Sequence, residues 1–216
     1  MAVRYFTIIT ISFLLLNCSS HRFGVKAGIN YSDFSHGETV GESSYVAGIT
    51  TERQTSENLF VGFDILTSSR SVVLKNQISP RMSGDGYLIY DFRIKLQFVE
   101  FAYIIKYSLF KQNSWSISPY IGPSLSLAYD KSVTLRTEGN DDLPPGLADI
   151  EIIDGGSFLS SLNGDLGINL GFNVKYEPVY LDFRYYHGFL PLGRAARKSG
   201  FDQKWRTLEV MVGYMF

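Results

Sequence analysis

The sequence predicts an all-β chain folded as an eight-stranded antiparallel up-and-down transmembrane β-barrel. Three observations predict it. Apolar residues alternate with small or polar ones at period two, over segments of about ten residues, so that one face suits lipid and the other a lumen. The connections between segments alternate between tight turns and long stretches. The 216 residues include 14 Tyr and 16 Phe, types that favour strands, and Tyr also suits a membrane boundary, where one end of its ring is apolar and the other wet.

The chain opens with a segment that reads as an export signal. Arg4 supplies the positive start, and Tyr5 to Leu16 form a short apolar run. The run has the length of a signal-peptide core and falls short of a membrane-spanning helix. Small residues Cys18, Ser19 and Ser20 follow, so cleavage after Ser20 is expected, leaving residues 1–20 as signal peptide and 21–216 as the barrel domain. Leu15-Leu16-Asn17-Cys18 also resembles a lipoprotein box, with Asn17 departing from the small residue usual before the Cys. If Cys18 leaves with the signal, the mature chain holds no Cys and no disulfide.

The strands follow in order. Phe23, Val25, Ala27, Ile29 and Tyr31 oppose Gly24, Lys26, Gly28 and Asn30. Tyr45, Ala47 and Ile49 oppose Val46, Gly48 and Thr50, and Leu59 to Ile65 repeat the split against Phe60 to Leu66. The fourth segment changes phase: Leu88, Tyr90, Phe92, Ile94 and Leu96 lie on even positions, whereas Val99, Phe101, Tyr103, Ile105 and Tyr107 lie on odd ones. A one-residue slip inverts every side chain, so a β-bulge near Gln97 or Phe98 is expected to keep both runs on lipid. The alternation resumes at 115–135, 165–175 and 179–186, and is clearest at the end, where Leu208, Val210, Val212, Tyr214 and Phe216 share one face. The expected strands are 23–34, 44–54, 57–70, 86–109, 115–135, 161–176, 178–190 and 203–216. Gln54 to Ser56, Lys111 to Ser114 and Glu177-Pro178 are the tight turns, and 35–43, 71–85, 136–160 and 191–202 the long connections, expected to face outward.

The lumen-facing positions carry charge. Lys26, Arg93, Lys95, Lys106, Lys175 and Arg184 are positive, and Glu52, Asp64, Glu100, Asp165, Asp182 and Glu209 negative. An eight-stranded barrel is just wide enough to be filled by side chains. Isolated charge there costs several kcal/mol, so these groups are expected to pair into a plug, with Tyr120, Tyr180 and Tyr186 filling space. A narrow pore for small solutes is the alternative.

The candidate chemistry is thin. The formal net charge of -1 gives no basic excess for nucleic acid. His21, His36 and His187 have no metal-ligand spacing, and neither a metal nor a cofactor is expected. His187, near the outer end of the seventh strand, would need a nearby Ser and an acid to act as a hydrolase, and its strand supplies no Ser, so an interfacial His is favoured over a lipid-modifying enzyme and no catalytic residue is assigned. Residues 136–160 hold six carboxylates, read as a solvated acidic loop rather than a cation site. Residues 191–206 hold Arg194, Arg197, Lys198, Lys204 and Arg206, expected to pair with that acidic loop or with anionic headgroups.

Several stretches carry a family resemblance. Phe23-Gly-Val-Lys-Ala-Gly-Ile-Asn-Tyr31, Val99-Glu-Phe-Ala-Tyr-Ile-Ile-Lys-Tyr107, Pro119-Tyr-Ile-Gly-Pro-Ser-Leu125, Leu181-Asp-Phe-Arg-Tyr-Tyr-His-Gly-Phe189 and Tyr214-Met-Phe216 occur in order. In that order they are similar to the PorT-like outer-membrane β-barrel proteins, with Ala102 standing where a Pro is expected. The resemblance implies an eight-stranded barrel in the outer membrane of a Gram-negative envelope, in contact with outer membrane lipid. It implies no single activity; support of a secretion or envelope machine follows by analogy only. Phe216, with Val210, Val212 and Tyr214 at alternate positions before it, resembles the signal read by the barrel-assembly machinery. The outward loops are the expected place for a protein partner.

Overall fold

Period-two alternation leaves each strand with one face that excludes water and one that does not, and closure of the sheet is what removes its open edges. A computed structural model describes residues 21–35, 39–80, 87–112, 114–137, 149–152, 164–190 and 204–216. The expected signal peptide at 1–20 lies outside the described residues. The strands are β1 (His21–Phe34), β2 (Thr39–Gln54), β3 (Leu59–Pro80), β4 (Tyr87–Tyr107), β5 (Phe110–Gln112), β6 (Trp115–Thr137), β7 (Asp149–Ile152), β8 (Gly164–Tyr176), β9 (Val179–Gly188) and β10 (Trp205–Met215).

Eight of these form a closed antiparallel ring. Around it run β1, β2, β3, β4, β6, β8, β9 and β10. β10 returns to β1, with Gly24 opposite Met215 and Phe34 opposite Trp205. β5 lengthens the hairpin before β6, and β7 lies beside the far end of β6. The tight turns after Gln54, Gln112 and Tyr176 share one end with both termini of the barrel: the Met215 amide donates to the Pro178 carbonyl at 2.9 Å, and the Phe216 amide to the Phe23 carbonyl at 2.7 Å. The Glu177-Pro178 peptide in the last of these turns is cis.

The outer face is apolar across the span and aromatic at both boundaries. Ile29, Ile49, Ile105, Ile121, Leu170, Leu181 and Val210 are exposed there. Near the tight turns lie Tyr107, Trp115, Tyr176 and Tyr214, with the Trp115 and Tyr176 rings 4.9 Å apart. At the other boundary lie Tyr31, Tyr45 and Tyr129, completing the pair of girdles expected of a membrane barrel.

Two expectations are corrected. β4 does not change phase: its ladder with β3 is unbroken from Leu74↔Phe92 to Leu59↔Tyr107. The irregularity near Gln97 lies on β6 instead, where Gln97 faces Asp130 and Phe98 faces Ala128, leaving Tyr129 as the extra residue. Even positions of β4 from Ile94 to Lys106 therefore point inward, and Ile94, Leu96 and Phe98 are buried in the lumen rather than set against lipid. Second, β2 begins at Thr39 and β3 runs to Pro80, so most of the expected loop 35–43 and of the first half of loop 71–85 is strand. Bulges between Gly41 and Val46 on β2, and between Leu74 and Gln77 on β3, reset the alternation and hide these extensions from a strict period-two reading.

A strand of about 9–11 residues spans a bilayer. β3, β4 and β6 have 22, 21 and 23 residues. They continue past the apolar band and, with β7, make a sheet that projects from the end opposite the tight turns.

Candidate functional site

The lumen is where the sequence concentrates its chemistry, and it has two parts. The part nearer the tight turns, together with the middle, is ionic. From β1, Lys26 Nζ donates to Asp64 of β3 at 2.7 Å and to Asp182 of β9 at 2.8 Å. From β9, Arg184 donates to Asp64 and lies 3.5 Å from Asp182, 3.6 Å from Glu100 of β4 and 3.8 Å from Glu209 of β10. Closer to the turns, Lys106 donates to Glu52 at 2.9 Å and to Asn173 at 3.2 Å, and Lys175 lies between Glu52 and Glu177. Most of these pairs span non-adjacent strands. The network therefore ties the barrel across its interior, where an unpaired charge would cost several kcal/mol.

Tyrosines knit the charges together. The Tyr120 hydroxyl donates to Asp182 at 2.5 Å and accepts from Arg184 Nε at 3.1 Å. The Tyr186 hydroxyl donates to Asp165 at 2.7 Å, and the Leu190 amide donates to the same carboxylate at 3.1 Å. The Tyr180 ring lies over Gly213 and the Tyr120 ring over Gly171, where a Cβ would overlap the ring. These two glycines are where the wall admits a ring lying flat against it.

The part nearer the projecting sheet is apolar. Phe34, Val72, Leu74, Ile94, Leu96, Phe98, Tyr186 and Trp205 form one buried cluster. Trp205 packs against Phe34 with ring centroids 4.5 Å apart and meets Phe98 edge-on at 6.2 Å. Arg70 joins the two parts. Its guanidinium stacks 4.1 Å from the Tyr186 ring centroid and 4.8 Å from that of Phe98, while Nη2 donates to Glu100 at 2.7 Å.

Ten of the twelve charged residues expected in the lumen face it: Lys26, Glu52, Asp64, Glu100, Lys106, Asp165, Lys175, Asp182, Arg184 and Glu209. Arg93 and Lys95 do not, because β4 keeps its phase. Arg93 pairs with Glu42 at 2.5 Å on the outside of the projecting sheet, and Lys95 is exposed beside it. Arg70 was not expected. It continues the even-numbered face of Asp64 and Leu66, and following the alternation past Leu66 would have found it. Among the described residues the lumen thus holds five cations against six carboxylates.

Val210, Val212, Tyr214 and Phe216 all point outward from β10 and the residue after it, and Phe216 is 75% exposed. His187 sits on the outer face, 3.4 Å from the Tyr185 hydroxyl and edge-on to Phe189 at 5.8 Å. No Ser and no carboxylate is its hydrogen-bond partner among the described residues. His36, Arg194, Arg197, Lys198 and most of the acidic loop lie outside the described residues. Among the described residues no three His, Cys, Asp or Glu are grouped to hold a metal.

The family described as outer membrane protein beta-barrel domain matches residues 17–193. Among solved structures, the chain is similar to neisserial surface protein A at 16% identity and a TM-score of 0.43, covering 92% of this chain and 98% of that one. It is also similar to Ail, the attachment invasion locus protein of Yersinia pestis, solved with the heparin analogue sucrose octasulfate, at 10% identity and a TM-score of 0.44, covering 91% and 99%. A search of curated proteins returns no match.

Proposed function

The chain belongs to the outer membrane protein β-barrel domain family and resides in the outer membrane, and we propose that it is a non-enzymatic, non-conducting barrel that anchors an outward sheet for interaction with other envelope components. The tight turns then face the periplasm, and the sheet made by β3, β4, β6 and β7 faces outward, following the rule that long connections are external. The observation that carries the reading is the filled lumen: cross-barrel ion pairs in the middle, capped by the Phe34–Phe98–Trp205 cluster. Absence of enzymatic activity is supported by the surroundings of His187, whose partner is a tyrosine. We keep the PorT-like grouping as a narrower proposal, resting on the motifs at Phe23–Tyr31 and Val99–Tyr107. A role beside a secretion or envelope machine, and recognition of the Phe216 terminus by the assembly machinery, rest on that same resemblance.

The test is conductance. The chain from His21 is refolded, its folding confirmed by heat-dependent gel mobility, and it is added to planar bilayers. The proposal expects no steady current. Stable ohmic channels would overturn it in favour of a narrow pore, and charge reversal at Lys106 or Arg184 would then shift ion selectivity.

A further inference from the structure

The lipid-facing wall changes from apolar to polar at one level on four neighbouring strands. Below that level lie Ala47 and Ile49 on β2, Ile65 on β3, Val99 and Phe101 on β4, and Leu125 and Leu127 on β6. At it lie Tyr45, Thr67, Gln97, Tyr129 and Asp130, and one step above lies Lys95. The β6 bulge makes this possible. In an unbroken strand Tyr129 and Asp130 would face opposite ways; the extra residue leaves both exposed on the outside, the kind of re-aiming for which bulges are retained.

These side chains are bonded into one patch. Gln97 Oε1 accepts from the Tyr129 hydroxyl at 2.8 Å and from that of Tyr45 at 3.5 Å. Gln97 Nε2 donates to Asp130 Oδ2 at 2.9 Å, and Asp130 Oδ1 accepts the Lys131 amide at 2.9 Å. Thr67 Oγ1 donates to the Tyr129 oxygen at 3.2 Å. The Tyr129 ring is 57% exposed, and Lys95 makes no ion pair among the described residues.

We propose that this patch binds the phosphorylated sugar headgroup of an outer-leaflet glycolipid. The inference rests on the orientation given above, which places the patch at the outer boundary. There a headgroup meets the wall while its acyl chains lie along Ile65, Val99 and Leu127. Lys95 supplies a charge-assisted contact for a phosphate. The exposed face of Tyr129 suits the C–H face of a sugar ring, apolar against apolar. Asp130 decides the class. A carboxylate one strand from Lys95 disfavours a bare phosphodiester by like-charge repulsion, but its free lone pairs accept hydroxyl donors, which a sugar offers and a simple phospholipid phosphate does not.

The test uses the refolded chain in nanodiscs of phosphatidylcholine, with native mass spectrometry to count retained lipid. Three probes are added in turn: a purified rough-type lipopolysaccharide, phosphatidylmethanol (an anionic phosphodiester with no hydroxyl), and the deacylated oligosaccharide of the same lipopolysaccharide. The expected result is retention of the lipopolysaccharide alone, weakened about tenfold in Lys95→Gln and in Asp130→Asn and unchanged in Lys111→Gln, in β5 at the opposite boundary. Asp130→Asn gives the sharpest sign. At a bare-phosphate site it would strengthen phosphatidylmethanol binding, and that outcome overturns the proposal. So does equal retention by wild type and both variants, or binding of the free oligosaccharide as tight as that of the intact lipid. Conductance is not read in this experiment, so the glycolipid site can fail while the non-conducting barrel stands.

Discussion

The two ends of the lumen solve one problem in different ways. Near the tight turns the interior is filled by charges that find partners across the barrel, such as Lys26 with Asp64 and Asp182, and Lys106 with Glu52. Near the projecting sheet it is filled by Phe34, Phe98, Trp205 and their aliphatic neighbours. The ionic end is specific, because each cation has a few atoms that satisfy it and a misregistered strand would strand a charge. The apolar end is tolerant of detail but resists water, because, Tyr186 apart, its cluster is apolar side chains that solvate an ion poorly. On the function proposed above, the ion pairs set the register of the wall, and the apolar cap is the barrier to flow.

The largest expected effect breaks the ionic end. Arg184 faces Asp64, Asp182, Glu100 and Glu209. Arg184→Met leaves these carboxylates with far less positive charge, and removing one partner of a buried pair typically costs about 3–5 kcal/mol. We expect the variant to lose heat-dependent gel mobility after refolding; a midpoint in urea equal to wild type would refute the ionic account of register. Next is the cap. Trp205→Ala removes a buried ring and should cost about 3 kcal/mol. Combined with Phe98→Ala, it is expected to give current in bilayers where Glu52→Gln with Lys106→Gln gives none. Current from the charge-neutral pair, with none from the cap pair, would place the barrier in the ionic end. At the junction, Arg70→Lys keeps the charge near Glu100 but loses the planar stack on Tyr186 and Phe98, an expected loss of about 1–2 kcal/mol, read from the urea midpoint.

The same comparison shows what could be read without coordinates. The ionic end was legible: residues such as Asp64, Asp182 and Arg184 interrupt otherwise apolar strands at lumen parity, and a charge at such a position in a narrow barrel has nowhere else to find a partner. The cap was not legible. Ile94, Leu96 and Phe98 belong to an apolar stretch whose parity differs from that of Val99 to Tyr107, and a hydrophobic side chain is equally at home in lipid or in a packed interior. Parity alone could not say which run faced lipid; the choice was settled by a bulge on the neighbouring strand, at Tyr129, where the sequence carries no Gly or Pro to mark it. The same choice sent Arg93 and Lys95 to the wrong face. Arg70 lies beyond Leu66, where small Ser residues replace the apolar ones and blur the alternation, although Ser68 and Arg70 keep its parity. The glycolipid patch depends on the Tyr129 bulge, so the sequence could offer its members but not their assembly.

The smallest expected effect tests where the ionic end meets water. Arg22 Nη1 donates to Glu177 at 2.5 Å, with both side chains about half exposed. That hydrogen bond, together with the nearby Lys175, holds the Glu177 carboxyl below its ordinary value of 4.5. A carboxylate with a depressed folded-state value contributes its stability above the ordinary value and loses it as pH falls through the folded one. The pair is therefore at full strength at pH 7 and weakens below about pH 4.5. Solvent screening limits it to about 0.5 kcal/mol. Glu177→Gln should lower the urea midpoint slightly at pH 7 and match wild type at pH 3, and 1 M salt should erase the difference at pH 7, because the Debye length then falls to about 3 Å. The Lys106–Glu52 pair, with side chains 10% and 8% exposed, should keep its contribution in the same salt, because buried pairs are screened much less. If salt weakens both pairs alike, the lumen is wetter than its packing implies, and the proposed division between an apolar cap and a paired interior fails at the mouth beside the tight turns.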